Sequence, residues 1–269
     1  MCSSDLPIWM QLHKNKENSM SKRLSGKVAI VTGAASGVGE AVARLFVRQG
    51  AHVVMTDLNE TDGTRIAEEI GATFVQHDVT DPQGWQRVVD GTIEQFDQLD
   101  ILVNNAGILL AGDIEQTRYE DWKRLLTVNA DSVFLGCQAA IAVMKKQGGA
   151  IVNMSSIAAL AGKEDYVAYS ASKGAVAALT RAVAADCRLK RYRIRCNSVH
   201  PDGILTAMTR ATYPKGVDPE MLTIDKDPMN RACRPSDVAD AVLYLASDEA
   251  RAVNGIELRI DSGQFVMSI

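Results

Sequence analysis

The 269-residue chain has no apolar run of membrane-spanning length, and no apolar stretch near its start long enough for a signal-peptide core. Its five cysteines, Cys2, Cys137, Cys187, Cys196 and Cys233, are an odd, scattered set with no C-x-x-C pair and no histidine at ligand spacing. That pattern argues against a disulfide framework and a sequence-local metal site, so no metal and a reduced, cytoplasmic setting are expected. An excess of positive charge is missing too: 29 Lys and Arg stand against 33 Asp and Glu, a net charge of -4. There is no electrostatic case for nucleic acid or for an anionic membrane surface, and small-molecule partners are the expectation.

What is present is enough apolar material for a core. Hydrophobic residues make up 46% of the chain, sufficient for one large domain or two small ones. From Lys27 onward, short β-branched runs alternate with helical patterns. The strand runs are Val28 to Thr32, His52 to Thr56, Thr73 to Gln76, Ile101 to Val103, Ala150 to Met154, Ile194 to Val199 and Ile256 to Ile260. Between them, helices are predicted over Glu40 to Gln49, Glu60 to Ile70, Trp85 to Phe96, Asp121 to Lys146 as one long element, Tyr169 to Leu189, and Arg234 to Ala246. This alternation predicts an α/β fold: a single doubly wound domain over residues 22–269, with a seven-stranded parallel sheet flanked by helices on both faces. Residues 1–21 carry the polar run His13 to Asn18 without periodicity; a flexible extension is expected there, with Met20 a candidate natural start. Ala207 to Arg231, broken by Pro214, Gly216, Pro219 and Pro228, predicts a covering flap rather than a long element.

The first strand runs into Gly33-Ala34-Ala35-Ser36-Gly37-Val38-Gly39 and then a helix. A glycine-rich strand-to-helix turn lets backbone approach a pyrophosphate while the helix N-terminus offers unpaired N–H groups, the Rossmann arrangement. Glycine patterns occur by chance, so the next strand matters. It ends on Asp57, an acid about 20 residues past the glycines, placed to accept hydrogen bonds from a ribose and to repel a 2′-phosphate. Neither Ser36 nor Leu58 supplies a cation for such a phosphate, which favours NAD over NADP.

Further along, Tyr169 and Lys173 stand four residues apart, on one helical face, with Ser156 upstream. A free tyrosine, with a pKa of about 10, is a poor base at neutral pH. A close cation such as Lys173 would lower that pKa, provided its charge outweighs the desolvation that pushes the other way. The same pair on a surface helix would mean nothing; the surrounding motifs decide the reading.

Together these motifs resemble the short-chain dehydrogenase/reductase family over roughly Leu24 to Gly263. The resemblance is carried by Thr32-Gly33-x-x-x-Gly37-x-Gly39, Asp78, Asn104-Asn105-Ala106-Gly107, and Asn129, Ser156, Tyr169 and Lys173. It implies a catalytic set of Asn129, Ser156, Tyr169 and Lys173. The cofactor set it implies is Gly33, Ser36, Gly37, Val38, Gly39, Asp57, Asp78, Val79, Asn105, Ala106, Gly107, Tyr169, Lys173, Pro201, Ile204 and Thr206. Within the family the chain is similar to bacterial NAD-dependent members acting on 3β- and 17β-hydroxysteroids, at Ser132 to Gln138, at His200-Pro201-Asp202-Gly203-Ile204 and at Pro214 to Val217. Most members have Pro-Gly where this chain has Pro201-Asp202. The resemblance thus implies an NAD-dependent oxidoreductase interconverting a hydrophobic secondary alcohol and its ketone, a hydroxysteroid first and a small cyclic or aliphatic alcohol as the alternative, in a homotetramer. A non-catalytic NAD-binding regulator is the least favoured reading, because every proton-transfer group is present.

Leu109, Leu110, Ile157, Leu160, Ile204, Leu205, Met208 and Tyr213 are candidate pocket residues. His52, His77, Trp85 and Trp122 are expected to pack or to face solvent, and His200 has no proton-transfer role left to fill. Asp202 is expected to cap the turn before Gly203 rather than to meet substrate.

Overall fold

The computed structural model describes residues 22–213 and 216–267; the expected extension at 1–21, with Met20, lies outside the described residues, as do Pro214 and Lys215. Seven strands, β1 (Val28–Thr32), β2 (His52–Asp57), β3 (Thr73–Gln76), β4 (Ile101–Asn104), β5 (Gly149–Met154), β6 (Ile194–Pro201) and β7 (Glu257–Ile260), form one sheet in the order β3-β2-β1-β4-β5-β6-β7. All neighbours are parallel. The crossovers are α1 (Gly37–Arg48), α2 (Glu60–Ile70), α3 (Pro82–Phe96), α4 (Tyr119–Leu126), α5 (Ser132–Met144), α6 (Val167–Leu189) and α7 (Pro235–Ala246). The chain lays β2 and β3 to one side of β1 and the remaining strands to the other. The switch point, where ligands bind in open α/β sheets, therefore falls between the C-terminal ends of β1 and β4.

The period-two alternation of the strands divides the core in two. Ala29 and Val31 face a cluster with Val42, Phe46, Ile66, Val238 and Val242, whereas Ile30 and Leu102 face the opposite cluster with Trp85, Val88, Met144, Val176 and Cys196. Both faces being covered explains why the strand sequences read as continuous apolar runs. Local signals set the helix ends: Asn59 caps α2 by accepting from the Asp62 amide at 3.1 Å, and Asp81 caps α3 with Pro82 in the first turn.

One expected helix is continuous but carries a π turn. The stretch predicted as a single helix over Asp121 to Lys146 is α4, a π turn at Thr127–Asp131, and α5. A π turn inserts one extra residue and swings the side chains of that turn away from the helical stripe, an arrangement often found at functional sites. Asn129 sits in it, fully buried. The combined stretch Tyr119–Met144 is long and apolar enough to cross a membrane by length and composition alone, contrary to the first reading of the chain. Its Leu125, Val133, Cys137, Ala140 and Met144 are buried inside the fold, while Phe134 on the other side of the helix is half-exposed. Among the described residues of 207–231 there are short turns at Arg210–Thr212 and Pro219–Leu222 and no helix of greater length.

Candidate active site

Thr32, the last residue of β1, ties the two halves of the switch point together. Its hydroxyl accepts from the amides of Asn105 and Ala106, each at 3.0 Å, while Asn105 Nδ2 donates to the carbonyls of Thr32 at 2.9 Å and Gly33 at 3.2 Å. The loops after β1 and β4 thereby close on each other. Gly33 has φ +64°, and a Cβ there would lie 2.8 Å from the Ala106 Cα; a Cβ on Gly39 would lie 2.1 Å from the Gly33 carbonyl oxygen. These two glycines are thus demanded by the protein's own backbone. Ser36, the N-cap of α1, makes no side-chain cap bond, which leaves the first amides of the helix for another acceptor. At the end of β2 the Asp57 carboxylate accepts from the amides of Ala35 and Asn59, both at 3.0 Å. That carboxylate bridges the two loops and keeps lone pairs for further donors.

These groups border a cleft of about 350 Å³. Of the residues expected to bind cofactor, Gly33, Ser36, Gly37, Val38, Asp57, Val79, Asn105, Ala106, Gly107, Tyr169, Lys173, Pro201, Ile204 and Thr206 line it. Gly39 and Asp78 are not among the lining residues; a Cβ on Gly39 would meet the turn's own backbone, and the exposed Asp78 carboxylate accepts from the amide and hydroxyl of Thr80 at 2.9 and 2.8 Å. Trp85, expected to pack, does so at 2% exposure and donates its indole N–H to the Val79 carbonyl at 2.9 Å, holding Val79 at the cleft wall. An uncapped helix terminus, a carboxylate at the end of the second strand and an apolar wall between them fit a dinucleotide.

The proton-handling groups come from β5, α6 and the π turn. Ser156, just beyond β5, accepts from the Ala158 amide at 3.2 Å and donates to the Pro201 carbonyl at 3.4 Å. Tyr169, in the first turns of α6, is partly exposed to the cleft. Lys173, one turn on, is 4% exposed; its Nζ donates to the Met154 carbonyl at 2.9 Å and lies 5.8 Å from the Tyr169 ring centroid. Asn129 is clamped by Ile108: its Oδ1 accepts from the Ile108 amide at 2.8 Å, and its Nδ2 donates to the Ile108 carbonyl at 2.9 Å and to Ser172 Oγ at 3.1 Å. The Ser172 hydroxyl then donates to the Tyr169 carbonyl at 2.7 Å. A Cβ on Gly107 would lie 3.1 Å from Asn129 Oδ1 and 3.4 Å from Lys173 Nζ, so all three elements converge there.

The electrostatics differ from the sequence expectation. Burial pushes the Tyr169 phenol above its ordinary value, opposed only by the neighbouring Ser156 hydroxyl, and burial pushes the Lys173 ammonium down to about 8. The expected dominance of the Lys173 charge over desolvation is not found in the protein alone: the buried ammonium is anchored on the Met154 carbonyl, and desolvation is the larger influence on both groups.

Among the pocket candidates, Leu109, Ile204 and Met208 line the cleft, joined by Ile108 and Val128, which the sequence reading passed over. Asp202 also lines it. Its side chain, 6% exposed, pairs with Arg231 at 3.5 Å instead of capping the turn. His52 stacks on Phe96, and His77 packs edge-on against Trp85 with its Nδ1 3.4 Å from Thr56 Oγ1, though it reaches the cleft wall as well. Four of the cysteines, Cys137, Cys187, Cys196 and Cys233, are free thiols.

Residues 33–264 match a family model described as enoyl-(acyl carrier protein) reductase. The chain is 49% identical over 255 residues to a 3-beta-hydroxysteroid dehydrogenase of Comamonas testosteroni, covering 93% of this chain and 100% of that protein. It is 43% identical to an NADP-dependent (R)-specific alcohol dehydrogenase of Lentilactobacillus kefiri, over 91% of this chain and 98% of that one. To a cyclopentanol dehydrogenase of Comamonas sp. (strain NCIMB 9872) it is 42% identical, over 90% and 98%. The solved structure of gox2181 superposes with a TM-score of 0.84 at 33% identity, covering 92% of this chain and 98% of that chain. The chain therefore belongs to the short-chain dehydrogenase/reductase family of NAD(P)-dependent oxidoreductases acting on CH–OH groups.

Proposed function

We propose that the protein interconverts a hydrophobic, ring-borne secondary alcohol and its ketone with NAD. The observation that carries this reading is the meeting of Ser156, Tyr169 and Lys173 on a cleft otherwise walled by Ile108, Leu109, Val128, Ile204 and Met208. Small cyclic alcohols are the first candidates, in keeping with the cyclopentanol relative. A hydroxysteroid is the second reading, favoured by the 49% likeness to the Comamonas testosteroni protein. Residues 207–231 would act as the flap over that substrate, with Met208 facing the cleft.

In the direction of oxidation, Tyr169 accepts the proton of the alcohol and Ser156 hydrogen-bonds the same oxygen, steadying the charge that develops on it. Lys173 supplies positive charge beside the phenolate, and Asn129, fixed by Ile108 and Ser172, would position a relay water toward solvent. When bound, the nicotinamide ring accepts or supplies hydride. Asp57 would hold the adenosine ribose, with Gly33, Ser36, Gly37 and Val38 around the pyrophosphate and Thr206, Pro201 and Ile204 at the nicotinamide end. With an NADP-dependent relative at 43% identity the fold alone does not set cofactor choice, and we assign that choice in this chain to the Asp57 carboxylate and its neighbours. A raised Tyr169 favours the protonated phenol, the form that donates in ketone reduction, at neutral pH. A tetrameric, cytoplasmic enzyme completes the reading; half-exposed Tyr244, Ile256 and Phe265 offer apolar surface for assembly.

The test is NAD(P)H formation by the purified protein with NAD and NADP in parallel, across cyclopentanol, cyclohexanol, linear secondary alcohols and 3β- and 17β-hydroxysteroids. Turnover of the cyclic alcohols with NAD is expected. Turnover of steroids alone would promote the second reading, and cofactor binding without turnover of anything would revive the regulator.

A further inference from the structure

The family resemblance leaves His200 without a task, yet it is the most completely buried ionisable group beside the site, at 0% exposure. It lies near the end of β6, and both ring nitrogens are engaged: Nδ1 is 3.0 Å from the main-chain carbonyl of Ser156, and Nε2 is 2.8 Å from Ser198 Oγ. A carbonyl oxygen only accepts, so Nδ1 must carry the proton, and Nε2 is then the acceptor for the Ser198 hydroxyl. The next residue, Pro201, offers its carbonyl to Ser156 Oγ at 3.4 Å. The end of β6 therefore grips Ser156 twice, by its carbonyl through His200 and by its hydroxyl through Pro201.

We propose that His200 is a positioning residue: its Nδ1–H fixes the Ser156 peptide and so aims the Ser156 hydroxyl at the oxygen handled by Tyr169. This rests on the reading of Ser156 given above. Ser156 follows β5 in extended backbone, φ -164° and ψ 159°, and its carbonyl accepts locally from the Ala159 amide at 3.0 Å. The imidazole supplies a second donor from across the sheet, 44 residues on in sequence, and ties that turn to the end of β6. Desolvation keeps the ring neutral, with its pKa pushed down to about 4, so the donor and acceptor nitrogens do not exchange roles in the working range. A bland packing role would ask only for volume; the hydrogen-bond role asks for a donor at one particular corner of the ring.

Two substitutions separate those roles. The amide nitrogen of asparagine stands where imidazole Nδ1 stands, and that of glutamine where Nε2 stands, whereas glutamine is closer in size to histidine. In His200→Asn the donor to Ser156 is kept, and Ser198 can turn to the Ile256 carbonyl, already 3.4 Å away. Purified His200→Asn, His200→Gln and Ser156→Ala should be compared for kcat, KM and NAD affinity, the last by quenching of intrinsic fluorescence. Expected are a kcat for the asparagine variant within about threefold of the parent and a loss of roughly 10- to 100-fold for the glutamine variant, with NAD affinity unchanged in both. Ser156→Ala should lose on the order of 10²- to 10³-fold. Asparagine and glutamine variants equal in kcat, beside an inactive Ser156→Ala, would overturn the assignment of His200 alone. A fully active Ser156→Ala would overturn the functional reading and this one with it. Nitrogen-15 NMR of the unmodified protein gives a check that needs no variant: a His200 ring protonated at Nε2 instead of Nδ1 ends the proposal.

Discussion

The wall of the cleft formed by the ends of β1, β4 and β5 with α6 is held by hydrogen bonds among buried groups, whereas the wall formed by residues 207–231 is tied down by ion pairs whose arginines, and most of whose carboxylates, are exposed. On the first, Thr32, Asn105, Asn129, Ser172 and Lys173 each satisfy backbone carbonyls or amides inside the fold. On the second, Arg234 clasps Glu220 and Asp225 and Arg231 reaches Asp202, while Met221, Ile224 and Met229 remain exposed. Buried, fully satisfied networks hold one geometry, because every alternative leaves a polar group without a partner. Exposed pairs are worth little and rearrange readily. The difference assigns chemistry to the first wall and substrate admission to the second, and variants should divide accordingly: kcat on one side, KM on the other.

The largest effect belongs to the buried wall. Tyr169→Phe keeps the ring and its packing but removes the proton carrier, so kcat should fall on the order of 10²- to 10⁴-fold while NAD affinity stays within about twofold. The parent enzyme carries a matching pH signature. With the phenol held above its ordinary value, alcohol oxidation should climb steadily as pH rises into the alkaline range, and ketone reduction should decline there. An oxidation rate independent of pH between 6 and 10 would remove Tyr169 as the base.

Next comes the effect of acid on the same wall. His200 is pushed from 6.5 to about 4 by burial, with Lys173 and Arg181 adding to the shift and the Ser156 carbonyl opposing it. A lowered histidine binds fewer protons folded than unfolded, so its neutral form stabilises the fold above pH 6.5 and that contribution is lost as pH falls toward 4. The loss is at most about 3 kcal/mol. Thermal unfolding at pH 7 and pH 5 should show a larger drop for the parent than for His200→Asn, which has no group titrating there. Equal drops would mean the ring is solvated and the grip on Ser156 is loose.

Smaller still is the change at the outer edge of the buried wall. Asp57→Asn keeps the bridge to the Ala35 amide but removes the charge, and should narrow the preference for NAD over NADP roughly tenfold, read as the ratio of kcat/KM values. An unchanged ratio would place cofactor choice elsewhere on the cleft.

The same division governs what the sequence discloses. Thr32 to Gly39, Asp57 and the Tyr169–Lys173 pair are legible because each is a local pattern set on a strand end or a helical turn, and alternating apolar runs suffice for all seven strands. The π turn around Asn129 carries no pattern of its own, since the apolar stripe of Leu125, Val133, Cys137 and Ala140 continues across it. The His200 bond to Ser156 and the Arg231 pair with Asp202 join residues 44 and 29 positions apart, a distance at which composition and period are silent. The balance of charge and desolvation at Tyr169 was the least legible of all. It depends on where the Lys173 ammonium is anchored, and the Met154 carbonyl that anchors it is set by the end of β5.

The smallest effect is expected on the flap, and it is the one that tests the comparison itself. Arg234 precedes α7, and its main-chain amide donates to Asp237 at 2.7 Å, a cap that survives loss of the side chain. Arg234→Ala therefore removes only the clasp on Glu220 and Asp225, both more than half exposed. Solvated pairs of this kind contribute at most about 1 kcal/mol each, about 2 kcal/mol for the two, so the melting temperature should move by no more than roughly 4–8 °C. What should change is the population of closed flap: KM for a ring alcohol rising about two- to fivefold at constant kcat, and the same rise in the parent at high salt, where the pairs are screened. A variant that loses kcat while KM stays put would show that the flap carries part of the catalytic geometry. The two walls would then be one device, with the ion pairs as much a part of the chemistry as the buried network.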